Sequence, residues 1–198
     1  MGKIDYAYSI REGYRPVFNG IVGQVAQCGK KEYYRRPPGV RIIIDTGTDI
    51  IFQHERREEC NNQWDRRLPG GKTFDTLDQW LDKYDSTFWN NGDFLKEVAG
   101  KEMIEEVGLI VEDNVYDDME FYYRSLSSAT VEHDLYYFIC KSFKETKRDV
   151  QADEIIERDS MTYKELFDWI STGKGFSEDR TRAVLFQYLL EYKREFIF

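Results

Sequence analysis

Gly92-Asp93-Phe94-Leu95-Lys96-Glu97-Val98-Ala99-Gly100-Lys101-Glu102-Met103-Ile104-Glu105-Glu106-Val107-Gly108-Leu109 is the stretch on which the reading of this chain turns. On a helical wheel at about 100° per residue with Leu95 at zero, Ala99 falls at about 40° and Val98 at about −60°, an apolar stripe suited to a core. One turn on, Glu102 falls at about −20°, Glu106 at about +20° and Glu105 at about −80°. The stripe that begins apolar therefore ends in three carboxylates. Turning uncompensated carboxylates inward is costly, and clustered like charges add to the cost. A hard divalent cation such as Mg²⁺ would relieve it, because such ions take carboxylate oxygens and also bind phosphates. The competing reading lets the helix end overhang solvent, with the glutamates as a hydrated face. Gly108 is placed as the residue just past the helix end.

Upstream, residues 4–28 alternate weakly, with glycines at 13, 20 and 23, and read as a meander of short strands. Val40–Asp45 and Asp49–His54 are two β-rich runs joined by Thr46-Gly47-Thr48, the pattern of a hairpin. Leu77, Trp80, Leu81 and Tyr84 fall at i, i+3, i+4 and i+7, which predicts a short helix over 76–84 capped by Asp75 or Thr76. Downstream, strands are expected around 119–126 and 135–143. Thr162-Tyr163-Lys164-Glu165 matches a capping box and opens a helix ending near Gly173, and a last helix spans 178–194. The alternation of strands and helices reads as α/β.

The formal charge of −9 argues against binding a nucleic-acid duplex, which needs clustered Lys and Arg. The three cysteines, Cys28, Cys60 and Cys140, have no metal-ligand spacing and read as free thiols. The chain shows neither a signal-peptide core nor a run long enough to span a membrane. The expectation is a soluble cytoplasmic protein that binds no membrane.

Lys101-Glu102-Met103-Ile104-Glu105-Glu106-Val107-Gly108-Leu109 resembles the second half of the Nudix box, Arg-Glu-apolar-x-Glu-Glu-x-Gly-apolar. Leu68-Pro69-Gly70-Gly71-Lys72 looks like the Gly-Gly turn that opens the box, and Gly92-Asp93 stands where the family has Gly-Glu. The chain departs from the pattern in three ways. Residues 72–92 separate the opening turn from Asp93, about 16 more than the family's pattern has, so 73–91 reads as an insertion carrying a helix. Asp93 replaces a glutamate. Lys101 replaces an arginine, exchanging a planar bidentate guanidinium for a point charge.

The resemblance implies a Nudix-type α/β/α sandwich with a mixed β-sheet, an N-terminal strand extension over 1–38, a hydrolase domain over 39–198, and an inserted helix within the box. It implies Mg²⁺ or Mn²⁺ on Glu102, Glu105 and Glu106, with Glu105 and Glu106 in the catalytic machinery and Gly70 and Gly71 shaping the loop beside them. Arg36-Pro37-Pro38-Gly39-Val40, Gln53-His54-Glu55-Arg56 and the tail around Leu166-Phe167-Asp168-Trp169-Ile170 are similar to the ADP-ribose and nucleotide-sugar pyrophosphatase branch.

From that branch come further expectations. Glu154, rather than its neighbour Asp153, is favoured as the acid that orients water, though either also reads as a solvated loop acid. Arg56 is a candidate phosphate contact and Glu132 a further site carboxylate; ordinary exposure is the alternative for both. Ser127 to Glu132 stands where the branch has Ser-Pro-Gly, without the proline and glycine. The implied activity is metal-dependent hydrolysis of a nucleoside diphosphate linked to another moiety, such as ADP-ribose or a related nucleotide sugar, giving a nucleoside monophosphate and a sugar phosphate. The implied partners are that small-molecule nucleotide and a second copy of the chain, as a homodimer. The alternatives are hydrolysis of nucleoside triphosphates or dinucleoside polyphosphates, a nucleotide-sensing module without turnover, and a scaffold whose insertion presents Trp80, Phe88 and Trp89 to a protein.

Overall fold

A computed structural model describes residues 13–57, 63–83, 92–126, 130–148, 156–172 and 178–198. Its centre is β4 (Gly39–Asp45), whose seven residues are all buried. It forms a hairpin with β5 (Asp49–Arg57), as Thr46-Gly47-Thr48 predicts. On its other side it runs parallel to β10 (Leu135–Cys140), also buried throughout. A strand covered on both faces reads as a continuous apolar run rather than an alternating one, as Val40 to Ile44 does.

The two faces still differ residue by residue. Val40, Ile42, Ile44, Tyr136, Phe138 and Cys140 point to one side, against Leu95, Ala99 and Met103 of the glutamate-bearing helix. Ile43, Leu135, Tyr137 and Ile139 point to the other, against Leu166, Ile170, Val184, Leu185 and Leu189. Each such side chain, fully buried, contributes roughly 1.5–3 kcal/mol. The result is a mixed sheet between helical layers, the α/β/α sandwich expected from the sequence. Its order is β12 (Ile156–Thr162), β5, β4, β10, β8 (Met119–Ser125), with β6 (Gln63–Arg67) also on β5.

A second sheet holds β1 (Arg15–Asn19), β2 (Gln24–Cys28) and β3 (Lys31–Arg35), the strand meander of the N-terminal segment. It joins the rest of the chain through β9 (Val131–Glu132), parallel to β3. A short pair, β7 (Leu109–Val111) and β11 (Phe143–Glu145), follows the box.

The helices depart from expectation where local chemistry overrides the simple wheel. The expected 93–107 helix is α-helical only as α2 (Asp93–Glu102) and continues as a π-helical turn, Met103–Val107, closed by Gly108 in the left-handed region. A π-turn widens the register, so wheel angles past Glu102 no longer hold. Such turns cluster at functional sites.

The inserted helix is α1 (Leu77–Lys83), opened by a capping box. Gln79 N–H donates to Thr76 Oγ1, and Gln79 Oε1 accepts from the Asp75 and Thr76 backbone. A short helix, α3 (Val115–Asp118), follows β7. The expected capping box at Thr162 and Glu165 is formed and starts α4 (Tyr163–Thr172). The expected 178–194 helix breaks at Lys193 into α5 (Asp179–Tyr192) and α6 (Arg194–Ile197). Strands β6 and β12 escaped the sequence reading because charged residues fill them; in β12 only Ile156 is buried. Among the described residues, no helix is long and apolar enough to cross a membrane, and Cys28 and Cys140 are free thiols.

Candidate active site

The Gly-Gly loop lies beside β4. Ile42 N–H donates to Pro69 O and Val40 N–H to Gly71 O, both at 2.9 Å. This seats the loop over the π-turn. Gly70 has φ 144°, a region that side chains rarely adopt, and a Cβ there would overlap the Val40 carbonyl. A Cβ at Gly71 would overlap the Glu102 carboxylate. Gly70 is therefore required by its backbone angle and by close approach to β4, while Gly71 gives the Glu102 carboxylate room beside the loop. The Gly70 N–H donates to Glu106 Oε2 at 2.6 Å, so loop and helix meet at one carboxylate.

Glu102, Glu105, Glu106, Gly70 and Gly71, all named from the sequence, line a single cleft of about 1010 Å³. Glu106 is 9% exposed. Burial pushes its carboxyl up to about 8, and the neighbouring Glu102 charge adds to that; the Gly70 N–H, Arg41 and Gln53 pull the other way. Glu105 is held at the helix edge by Lys101, at 3.3 Å. Two mutually repelling carboxylates on one wall, with a third alongside, make a donor set suited to a hard divalent cation. As they stand, no three His, Cys, Asp or Glu side chains among the described residues converge into a ligand group, and Glu105 is paired with Lys101.

Other cleft residues were not legible in the sequence. Arg41 is buried and reaches Glu178 through Nε at 3.1 Å and Nη2 at 3.4 Å. Despite the opposing cost of burial, Glu178 keeps the guanidinium firmly charged. Arg36, Arg67 and Lys72 also line the cleft, and the buried Arg36 Nε has no hydrogen-bond partner. His133 lies on the wall with Nδ1 2.9 Å from Pro37 O, and burial pushes it down to about 4. An arginine inside the apolar run Val40–Ile44 was the one sequence signal available. Glu178 carried none, lying 137 residues from its partner.

Arg148, also unremarked in the sequence, donates to Glu106 O and, at 2.7 Å, to Ile156 O; Arg158 donates to Val107 O at 3.3 Å. The bonds to Glu106 O and Val107 O satisfy carbonyls that the end of a helix leaves open.

Two expected contacts stand elsewhere. Arg56 is exposed on β5, opposite Trp64, and is not a cleft residue. The Glu132 carboxylate is clamped by Arg35, through Nε at 3.1 Å and Nη2 at 3.3 Å, and likewise does not line the cleft. Asp153, Glu154, Phe88 and Trp89 lie outside the described residues. Trp80 is fully buried beneath the Arg35 guanidinium, 5.1 Å from its ring centre, and so offers no surface to a partner.

No family model matches the sequence, and no curated protein is similar enough to count as a match. Among solved structures, one described as an ADP compounds hydrolase superposes with a TM-score of 0.60 at 14% identity, covering 94% of this chain and all of that one. At that identity the likeness establishes architecture alone: the chain shares the layered α/β/α fold of that structure.

Proposed function

We propose that the protein is a metal-dependent hydrolase of a nucleoside diphosphate linked to another moiety, ADP-ribose or a related nucleotide sugar, releasing a nucleoside monophosphate and a sugar phosphate. The observation that carries this is the meeting of Glu102, Glu105 and Glu106 with the Gly70-Gly71 loop in one cleft that is also lined by Arg36, Arg41, Arg67 and Lys72. Carboxylates and cations lining one cleft suit a ligand that is itself anionic and arrives with a cation.

Glu102, Glu105 and Glu106 would hold Mg²⁺ or Mn²⁺. When bound, the ion supplies a nucleophilic water at neutral pH and offsets charge developing on the diphosphate. The chain's own residues do the remaining work. The Gly70 N–H fixes Glu106 in place. Glu178 holds Arg41 against the cleft wall. The unpartnered Arg36 Nε is a donor suited to a phosphate oxygen. Water orientation by Glu154, and a homodimer built through the N-terminal segment, belong to the same reading; a monomeric mass at micromolar concentration would remove the dimer.

The test is incubation with Mg²⁺ and a panel of ADP-ribose, other nucleotide sugars, dinucleotides and nucleoside triphosphates, beside a Glu105→Gln, Glu106→Gln variant. Release of AMP and ribose 5-phosphate by the wild type alone is the expected result. Preferential triphosphate or dinucleoside polyphosphate cleavage would redirect the substrate assignment. Nucleotide binding with no turnover of anything would replace the hydrolase with a sensor.

A further inference from the structure

We propose that the described part of the inserted segment, residues 73–83, is the base-reading wall of the cleft, with the Gln79 amide as the group that reads. This rests on the cleft being a nucleotide site, but not on turnover. The insertion is built into the domain rather than appended to it. Trp80 is fully buried in the core that also holds Leu95 and Ala99. Phe74 stacks on Phe94 with ring centres 5.4 Å apart. Thr73 is tied to Pro38 O through its N–H at 3.0 Å and its hydroxyl at 2.9 Å, and Leu77 N–H donates to Ile21 O at 2.9 Å. These contacts hold one side of the inserted segment against the cleft, where Phe74, Asp75 and Gln79 join Val22 and Tyr34 of the N-terminal sheet.

This part of the lining differs in chemistry from the carboxylate and guanidinium walls. It offers two aromatic rings, an aliphatic side chain, an acceptor and an amide. Aromatic faces suit a planar ring, and polar groups beside them suit a ring edge with its own donors and acceptors. Tyr34 packs against Gly23, where a Cβ would overlap its ring and hydroxyl. Gln79 is the selective group for a structural reason. Its Oε1 is engaged by the Asp75 and Thr76 N–H groups, which orients a side chain that lines the cleft and leaves the Nε2 donors outside the capping interaction.

Two variants separate that donor from its neighbours. Gln79→Glu keeps the capping acceptor and removes the donors; Gln79→Met removes the donors without adding charge. Binding of AMP, GMP, UMP and inorganic pyrophosphate to the full-length protein with Mg²⁺ would be measured by titration calorimetry. The expected result is a loss of at least about fivefold in affinity for the preferred nucleotide in both variants, with pyrophosphate affinity unchanged. Retention of nucleotide affinity, loss in only one variant, or an equal loss for pyrophosphate would overturn the proposal, as would failure of the wild type to bind any of the three nucleotides. A selective loss in a protein that hydrolyses nothing would leave this inference standing while removing the hydrolase reading.

Discussion

Two carboxylates sit in buried positions on opposite sides of the central sheet, and the protein treats them in opposite ways. Asp45, at the end of β4, accepts from the Tyr163 and Tyr188 hydroxyls at 2.5 Å each and from Lys193 at 2.9 Å. Burial works against its charge, but those partners win and its carboxyl is held below the usual range. Glu106 has the Gly70 N–H and Arg41's field, yet burial and the Glu102 charge prevail and its carboxyl is pushed up to about 8. A buried charge that is fully answered belongs to the scaffold, here stapling α4, α5 and the C-terminus to the sheet. A buried charge left partly unanswered in a cleft marks a place where something else is meant to bind.

The contrast can be broken most directly at the glutamates. Glu105→Gln with Glu106→Gln is expected to lower turnover by about 1,000-fold, the scale on which removing a group that stabilises developing charge acts, measured as product release at saturating substrate. Retained turnover would end the argument that this is the reacting end of the cleft. Asp45→Asn is expected to cost about 3 kcal/mol of stability, because it strips the charge that Lys193 and two tyrosines answer, read as a lower midpoint in urea. Turnover at temperatures where that variant stays folded should be unchanged.

The acid limb of stability sharpens the same difference. A depressed folded-state pKa at Asp45 contributes stability above the unfolded value, near 3.8, and that contribution is lost as pH falls through the folded value. Asp45→Asn should therefore lose the part of the wild-type acid transition lying below about pH 4, in melts taken between pH 2 and 5. The smallest effect is expected from Glu106→Gln alone without metal. Replacing a poorly compensated buried carboxylate by its neutral isostere should leave stability at pH 7 unchanged or raise it by about 1 kcal/mol. A loss comparable to that of Asp45→Asn would show Glu106 to be a second staple.

Much of the fold is legible in short-range patterns. The hairpin at Thr46-Gly47-Thr48, the capping box at Thr162 and Glu165, and the C-cap at Gly108 each depend on residues within a few positions of one another. Spacing alone left the three glutamates open between a metal site and a hydrated face and the two glycines as a plain turn; it was the resemblance to the Nudix box that singled them out together. What escaped depends on distant pairing. Strands β6 and β12 carry too many charges to announce themselves and exist because β5 offers them partners. Glu132, read as a site carboxylate, is occupied by Arg35, 97 residues away.

By itself, then, the sequence determined the α/β alternation through propensity, capping and periodicity, which act over one or two turns of chain, while the layered sandwich and the role of the carboxylate turn were what the box resemblance implied. Tertiary structure alone decided that the turn is π-helical, that Arg41 and Glu178 both line the cleft, and that Phe74, Asp75 and Gln79 line it too while Trp80 is buried. Those outcomes depend on which side chains burial brings together and on whether each buried charge finds an answer, and neither is encoded in local spacing.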